Sequence, residues 1–244
     1  AQSIPMSFFT TVLPIIMRQE NYSLVSIGLL QLVKIPWILK FLWAPLVDNR
    51  ARSTQQLRKW IFASEIFYAL VIFGIAFLQL ETNFVLIVVF LVVAFVAAGT
   101  QDIAVDIFAI LTLRKAERSL GNSMQAGGSF VGSLIGTGFL LVAYHYYGWF
   151  NVLVLLAALV LLALLPLYFS RVKLLTENTQ KPRVRMADLL TFFKQKNQWQ
   201  HLLLLVFYYS GLIGIMAMLK PWLVDLGYDM NEIAFMSGIM GTSA

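Results

Sequence analysis

The chain has 244 residues, 59% of them hydrophobic and 12% charged, with a mean hydropathy of +0.78. Soluble domains carry roughly 25% charged residues and about 45–50% apolar ones, and a globule of this size lacks the interior to hide the surplus, so an ordinary soluble fold is excluded. Eighteen Lys and Arg against twelve Asp and Glu give +6; in lipid this excess reads as cytoplasmic-loop charge rather than a nucleic-acid surface.

A spanning helix needs about 20 mostly apolar residues. Eight such runs occur, two of them incomplete. The first, 1–17, opens inside an apolar stretch at Ala1, with no start methionine and no signal-peptide layout. The last, from about 232, stops at Ala244. The chain therefore reads as a piece cut inside a helix at both ends. The runs between are 24–46, 60–80, 84–112, 120–143, 149–169 and 200–220. This is the pattern of an all-α membrane protein with a six-helix portion (1–169), a central loop (170–199) and the start of a second portion (200–244).

The second run carries Lys34 and Lys40 and leads into KFLWAPLVDN, 40–49, followed by Arg50, Arg52, Arg58 and Lys59. Asp48 falls where a helix ends, and the nearby arginines can give it charge-assisted bonds that lock one conformation. Glu65, on the third run, is expected to be a structural partner for Lys40. The fourth run contains GTQDIAVD, 99–106, in which Asp102 and Asp106 are four apart and share a helix face. Ionisable groups at depth face a polar interior, so this pair either binds protons or substrate or holds the helix in a structural network. On the fifth run Gly128, Gly132 and Gly136 recur every four residues beside Ser129, Ser133 and Thr137, a spacing for close helix packing rather than a phosphate cradle. Tyr144, His145, Tyr146, Tyr147 and Trp149 form an interfacial aromatic belt, and His201 falls at the inner boundary. With two histidines and no cysteine, neither a metal site nor a cofactor is expected.

The connections settle orientation. Loops 47–59, 113–119 and 170–199 hold four, three and seven basic residues, fourteen of the eighteen, and are placed in the cytoplasm. Within the long loop Met186, Leu189, Leu190 and Phe193 follow helical spacing, which suits either an amphipathic helix on anionic lipid or a solvated basic linker. Pro14, Tyr22, Leu24 and Ile27 meet Pro221, Tyr228, Met230 and Ile233 about 206 positions later, with one residue of slippage. Six helices, a basic loop, then the six again is the plan of parallel-repeat transporters.

Ala44, Leu46 and Asp48 with the basic residues after them resemble the loop signature of the major facilitator superfamily, although Ala44 stands where glycine is usual. With Phe41-Leu42-Trp43 before them, GTQDIAVD, and AERSLG at 116–121, the chain resembles the AmpG-related permeases over most of 5–170. The resemblance implies a major facilitator fold, with about eight of twelve helices in this chain, the first and last truncated. It also implies a monomeric, proton-driven importer of a small organic solute, muropeptide or siderophore, in a bacterial inner membrane. Phe8-Phe9-Thr10-Thr11 and the Lys34–Lys40 stretch lean toward the siderophore branch. Alternating access would rock two halves about a midplane site. Lys34, Gln101, Asp102, Asp106 and Tyr208 are then nearest the substrate and proton path, with Ala44, Leu46, Asp48, Arg50, Arg58 and Lys59 as the cytoplasmic gate. A multi-pass acyl- or glycosyl-transferase would need clustered catalytic groups at one membrane face, and the sequence offers none; a receptor that binds without transporting is the other rival.

Depth predicts one contact. Lys34 is twelve residues, about 18 Å, from Leu46, and Asp102 is twelve from Arg114, so the two charges are expected to pair near the bilayer middle. Lys40 and Asp106 would form a shallower level.

Overall fold

The computed structural model describes residues 2–211 except 21, 51–52, 171–190, 192–197 and 209. The chain divides into two compact units, 1–183 and 184–244. In the first, the described residues form six helices: α1 over 3–19, α2 over 24–50, α3 Thr54–Ala76, α4 Phe84–Thr112, α5 over 118–147 and α6 over 149–169. In the second, 198–208 and 210–211 are helical. No strand occurs among the described residues. The amphipathic pattern at Met186–Phe193, the second copy of the repeat and the eighth run lie outside them.

Four stretches are long and apolar enough to cross a membrane: Val25–Leu42, Gln55–Ala76, Phe84–Thr112 and Lys115–Phe169. The last, at 55 residues, would be about 80 Å long as one rod, far beyond a roughly 30 Å hydrocarbon layer. It is broken at Gly148, whose φ of 74° lies in the left-handed region that favours glycine. The two ends of α6 are pinned to α3. Trp149 Nε1 donates to the Leu78 carbonyl at 2.9 Å, while the Arg58 guanidinium reaches the carbonyls at the far end of α6. Hence α6 runs antiparallel to α3 along its length, and the protein is a multi-pass integral membrane bundle.

Helix starts follow local chemistry. α3 begins at Thr54, six residues before the apolar run, because Ser53 and Gln56 form a reciprocal capping box. The tight link between α4 and α5 is closed when Glu117 accepts from the Arg114 backbone N–H at 2.9 Å.

α1 is the buried centre of the unit: Phe8, Phe9, Val12, Leu13, Ile16 and Met17 are all inaccessible. Lipid tails are as apolar as these side chains, so close packing and interhelical hydrogen bonds hold such helices together. The closest approach is between α1 and α5. A Cβ on Gly132 would lie 2.8 Å from Ser3 Cβ, one on Gly136 would overlap the Ile4 carbonyl oxygen, and Ser7 and Ser133 share a hydrogen bond of 2.8 Å. Gly128, the third member of the stripe, has open space beside it and takes no part in this contact.

Three helices depart from α geometry; in α5 the departure is a π turn, Ile135–Phe139. α1 contains a π turn, Phe8–Val12, that ends two residues before Pro14. Proline offers no N–H to the carbonyl four residues back, here Thr10. α2 contains two 3-10 stretches, Gln31–Lys34 and Leu39–Leu42, before Pro36 and Pro45 respectively. The Tyr22 hydroxyl donates to the Leu80 carbonyl at 2.7 Å, which ties the α1–α2 link to the α3–α4 link.

Candidate transport site

The polar residues of the first unit gather where α1, α2 and α4 meet. Gly99 lets α2 come close to α4: a Cβ there would stand 3.3 Å from the Trp43 ring and 3.4 Å from Lys40 Cβ. One turn further along α4, Asp102 forms an ion pair with Lys40. The Lys40 ammonium also lies 4.9 Å from the centre of the Trp37 ring, whose negative face adds a second attraction. The two side chains are 27% and 15% exposed, so the pair is shielded without being sealed. Trp43 Nε1 donates to Thr100 Oγ1 at 3.1 Å and fixes the indole against α4.

Asp102 is therefore partnered by Lys40 and not by Lys34. The depth count began at Leu46, but α2 continues through Pro45 to Arg50. Measured from the true helix ends, Lys40 is ten residues from Arg50 and Asp102 ten residues from Thr112. Both lie about 15 Å from their ends. Lys40 is not available to Glu65 either. Glu65 lies in the middle of α3, fully buried, and neither carboxylate oxygen has a hydrogen-bond partner among the described residues; the Tyr68 hydroxyl one turn on is in the same condition.

Gln101 is 7% exposed and accepts a hydrogen bond from Gln2, whose amide also donates to the Ala98 carbonyl at 2.8 Å. This clamp between α1 and α4 was not legible in the sequence, where Gln2 is one polar residue beside a chain end. Asp106 is exposed and lies beside Gln125 of α5. Lys34 is half-buried and makes no hydrogen bond or ion pair among the described residues. Tyr208 belongs to the second unit, where it is helical and exposed. The structure thus brings Gln101, Asp102 and Asp106 together on α4, and adds Lys40, Trp37 and Gln2 around them. Among the described residues no group of His, Asp and Glu has the arrangement of a metal site.

The loop-signature residues divide. Asp48 and Ala44 are half-buried, Leu46, Arg50 and Lys59 are exposed, and Asp48 has no ion pair among the described residues. Arg58 caps the C-terminal end of α6, donating to the carbonyls of Leu167 at 2.6 Å, Ser170 at 2.9 Å and Tyr168 at 3.1 Å. Terminal carbonyls have no intrahelical donor, and a guanidinium fork satisfies several at once. Arg58→Ala should lower stability by about 2 kcal/mol, as expected for losing charge-assisted bonds at a half-buried site. Arg58→Lys should recover less than half of that, because an ammonium is a point charge. Thermal unfolding followed by tryptophan fluorescence measures both; an unchanged midpoint in Arg58→Ala would remove the capping role.

His145 packs edge-on against Tyr146, with ring centres 5.2 Å apart, beside the exposed Tyr146 and Tyr147. This places it among the aromatic residues that precede Gly148, away from the polar cluster.

A bundle of membrane-crossing helices with an ion pair between α2 and α4 defines a polytopic membrane protein. The Major Facilitator Superfamily profile matches residues 2–244, and the chain belongs to that family. It is 28% identical, over 251 aligned positions and all of its own length, to the anhydromuropeptide permease of Escherichia coli K12, and equally similar to that of Escherichia coli O157:H7. An uncharacterized protein of Haemophilus influenzae is 27% identical over 95% of this chain and 56% of its own length. The chain spans about half the length of these relatives, 51% of the E. coli permeases.

Proposed function

We propose that this chain forms part of a proton-coupled importer that carries a muropeptide-type solute by alternating access, through transport rather than group transfer. The observation that carries the reading is the similarity over the whole chain to the anhydromuropeptide permeases. Geometry agrees with it: a half-shielded Lys40–Asp102 pair joins α2 to α4, with Asp106 one turn away and open. An acid that trades a lysine for a proton gives a coupled cycle its two charge states. In this reading Asp102 and Asp106 carry protons, and Gln101 holds α4 in register. Loops 47–59, 113–119 and 170–199 face the cytoplasm of a bacterium, with Ala44, Leu46, Asp48, Arg50 and Lys59 at the gate. The protein acts as a monomer in the inner membrane.

The test is uptake of radiolabelled anhydromuropeptide by the intact protein in proteoliposomes under an imposed proton gradient. Accumulation that a protonophore abolishes is expected, with a ferric siderophore neither transported nor competing. Equal uptake with and without the gradient would remove the coupling, and absence of uptake would remove the substrate class.

A further inference from the structure

Lys34 stands apart from the charges described above. It lies at the middle of the apolar stretch Val25–Leu42, nine residues after one end and eight before the other. A cation at that depth is costly unless it faces a polar interior and meets a partner. The acids of the described spans do not supply one. Asp102 is taken by Lys40, the Glu65 carboxylate has no hydrogen-bond partner among the described residues, and no ion pair or hydrogen bond joins Lys34 to any described residue.

The backbone around Lys34 is irregular, and the irregularity shows which way this side of α2 faces. Pro14 leaves the Thr10 carbonyl of α1 without its helical donor, and that carbonyl accepts instead from Gln31 Nε2 of α2 at 3.3 Å. Gln31 and Lys34 are the first and last residues of one 3-10 stretch, in which side chains three apart eclipse. Lys34 is therefore stacked along the helix under a side chain that reaches α1, and so stands on an inward face. Through Thr10, Gln31 meets the π turn Phe8–Val12, and the 3-10 stretch itself packs against α4. Proline in a spanning helix is accommodated by such local adjustments and by donors from neighbouring helices, and a charge at that depth faces the polar interior of the bundle.

We propose that Lys34 is the anion-recognising residue of the solute path, binding a carboxylate of the transported molecule between the interrupted segments of α1 and α2. The assignment rests on the import reading given above and names the group of the solute that is read. Lys40 cannot serve this purpose in the same state, because Asp102 neutralises it. Lys34 offers an ammonium with three donors and no ion-pair partner among the described residues.

The test uses the intact protein in proteoliposomes and two probes, a radiolabelled anhydromuropeptide with free peptide carboxylates and the same compound fully amidated. Wild-type protein should show a KM about 30-fold lower for the acid than for the amide, the range of a charge-assisted bond in a shielded site. Lys34→Gln should erase that preference by raising KM for the acid alone, and Lys34→Arg should keep most of it. If wild-type protein takes up acid and amide equally, or Lys34→Gln lowers both alike, the assignment to Lys34 falls while muropeptide import stands. If wild-type protein takes up neither probe, the import reading falls and takes this one with it.

Discussion

Asp102→Asn alone should lower the thermal midpoint of the purified protein by about 4–6 °C, and adding Lys40→Met should recover most of the loss. The single change leaves an ammonium between two helices without its counter-charge, and stranding one member of a buried pair costs about 3–5 kcal/mol. Here the side chains are 27% and 15% exposed, so water relieves part of the penalty and about 2 kcal/mol is the fitting scale. Removing both charges replaces the pair with an apolar contact against the Trp37 ring, a change that buried pairs tolerate. The coupling in the double-mutant cycle should therefore be about 2 kcal/mol. Additive effects of Asp102→Asn and Lys40→Met would show that the contact contributes nothing. Lys34→Met in the Asp102→Asn background should give no recovery, which separates the observed partner from the one that depth alone suggested.

The α1–α5 contact predicts a steeper effect. Gly136→Ala places a methyl group onto the Ile4 carbonyl oxygen, and backbone on α1 has no rotamer with which to yield. Overpacking of this kind costs about 1–3 kcal/mol, and Gly136→Leu should abolish the folded protein altogether. Gly138→Ala, two residues on and with open space at its Cβ, should be neutral or stabilise by up to about 1 kcal/mol. The sharp contrast between neighbours on one helix is the point of the experiment. It is read from detergent-solubilised protein by size-exclusion profile and melting midpoint. Equal tolerance at both positions would mean that α1 and α5 do not approach as closely as Ser7 and Ser133 indicate.

Much of the fold was legible because lipid imposes a simple length rule. Each of the first six apolar runs is a helix, and the chain belongs to the superfamily that its loop signature resembles. Helix ends were less legible, since hydropathy marks where lipid stops and not where hydrogen bonding stops. Leu46 ended an apolar run, but α2 continued through Pro45 to Arg50, and four residues were enough to exchange Lys34 for Lys40 as the partner of Asp102. The glycine stripe announced close packing, yet spacing alone could not say that Gly132 and Gly136 meet α1 while Gly128 does not. Arg58 shows a different limit. Its place after Asp48 suggested a gate, and only the antiparallel path of α6 revealed the carbonyls that it caps. Gln31 carried no signal at all, because its partner is a carbonyl freed by a proline on another helix.

Gly148 has a mechanical meaning. A single left-handed residue joins α5 to α6, and the next residue, Trp149, is fastened to the Leu78 carbonyl just beyond α3. Such a joint has no slack to take up or pay out. Sliding of α5 along its axis would have to drag α6, and α6 is tethered to α3 at both ends, through Trp149 and Arg58. The Gly148 end of this unit therefore works as a stiff yoke that resists sliding of α5 along its axis.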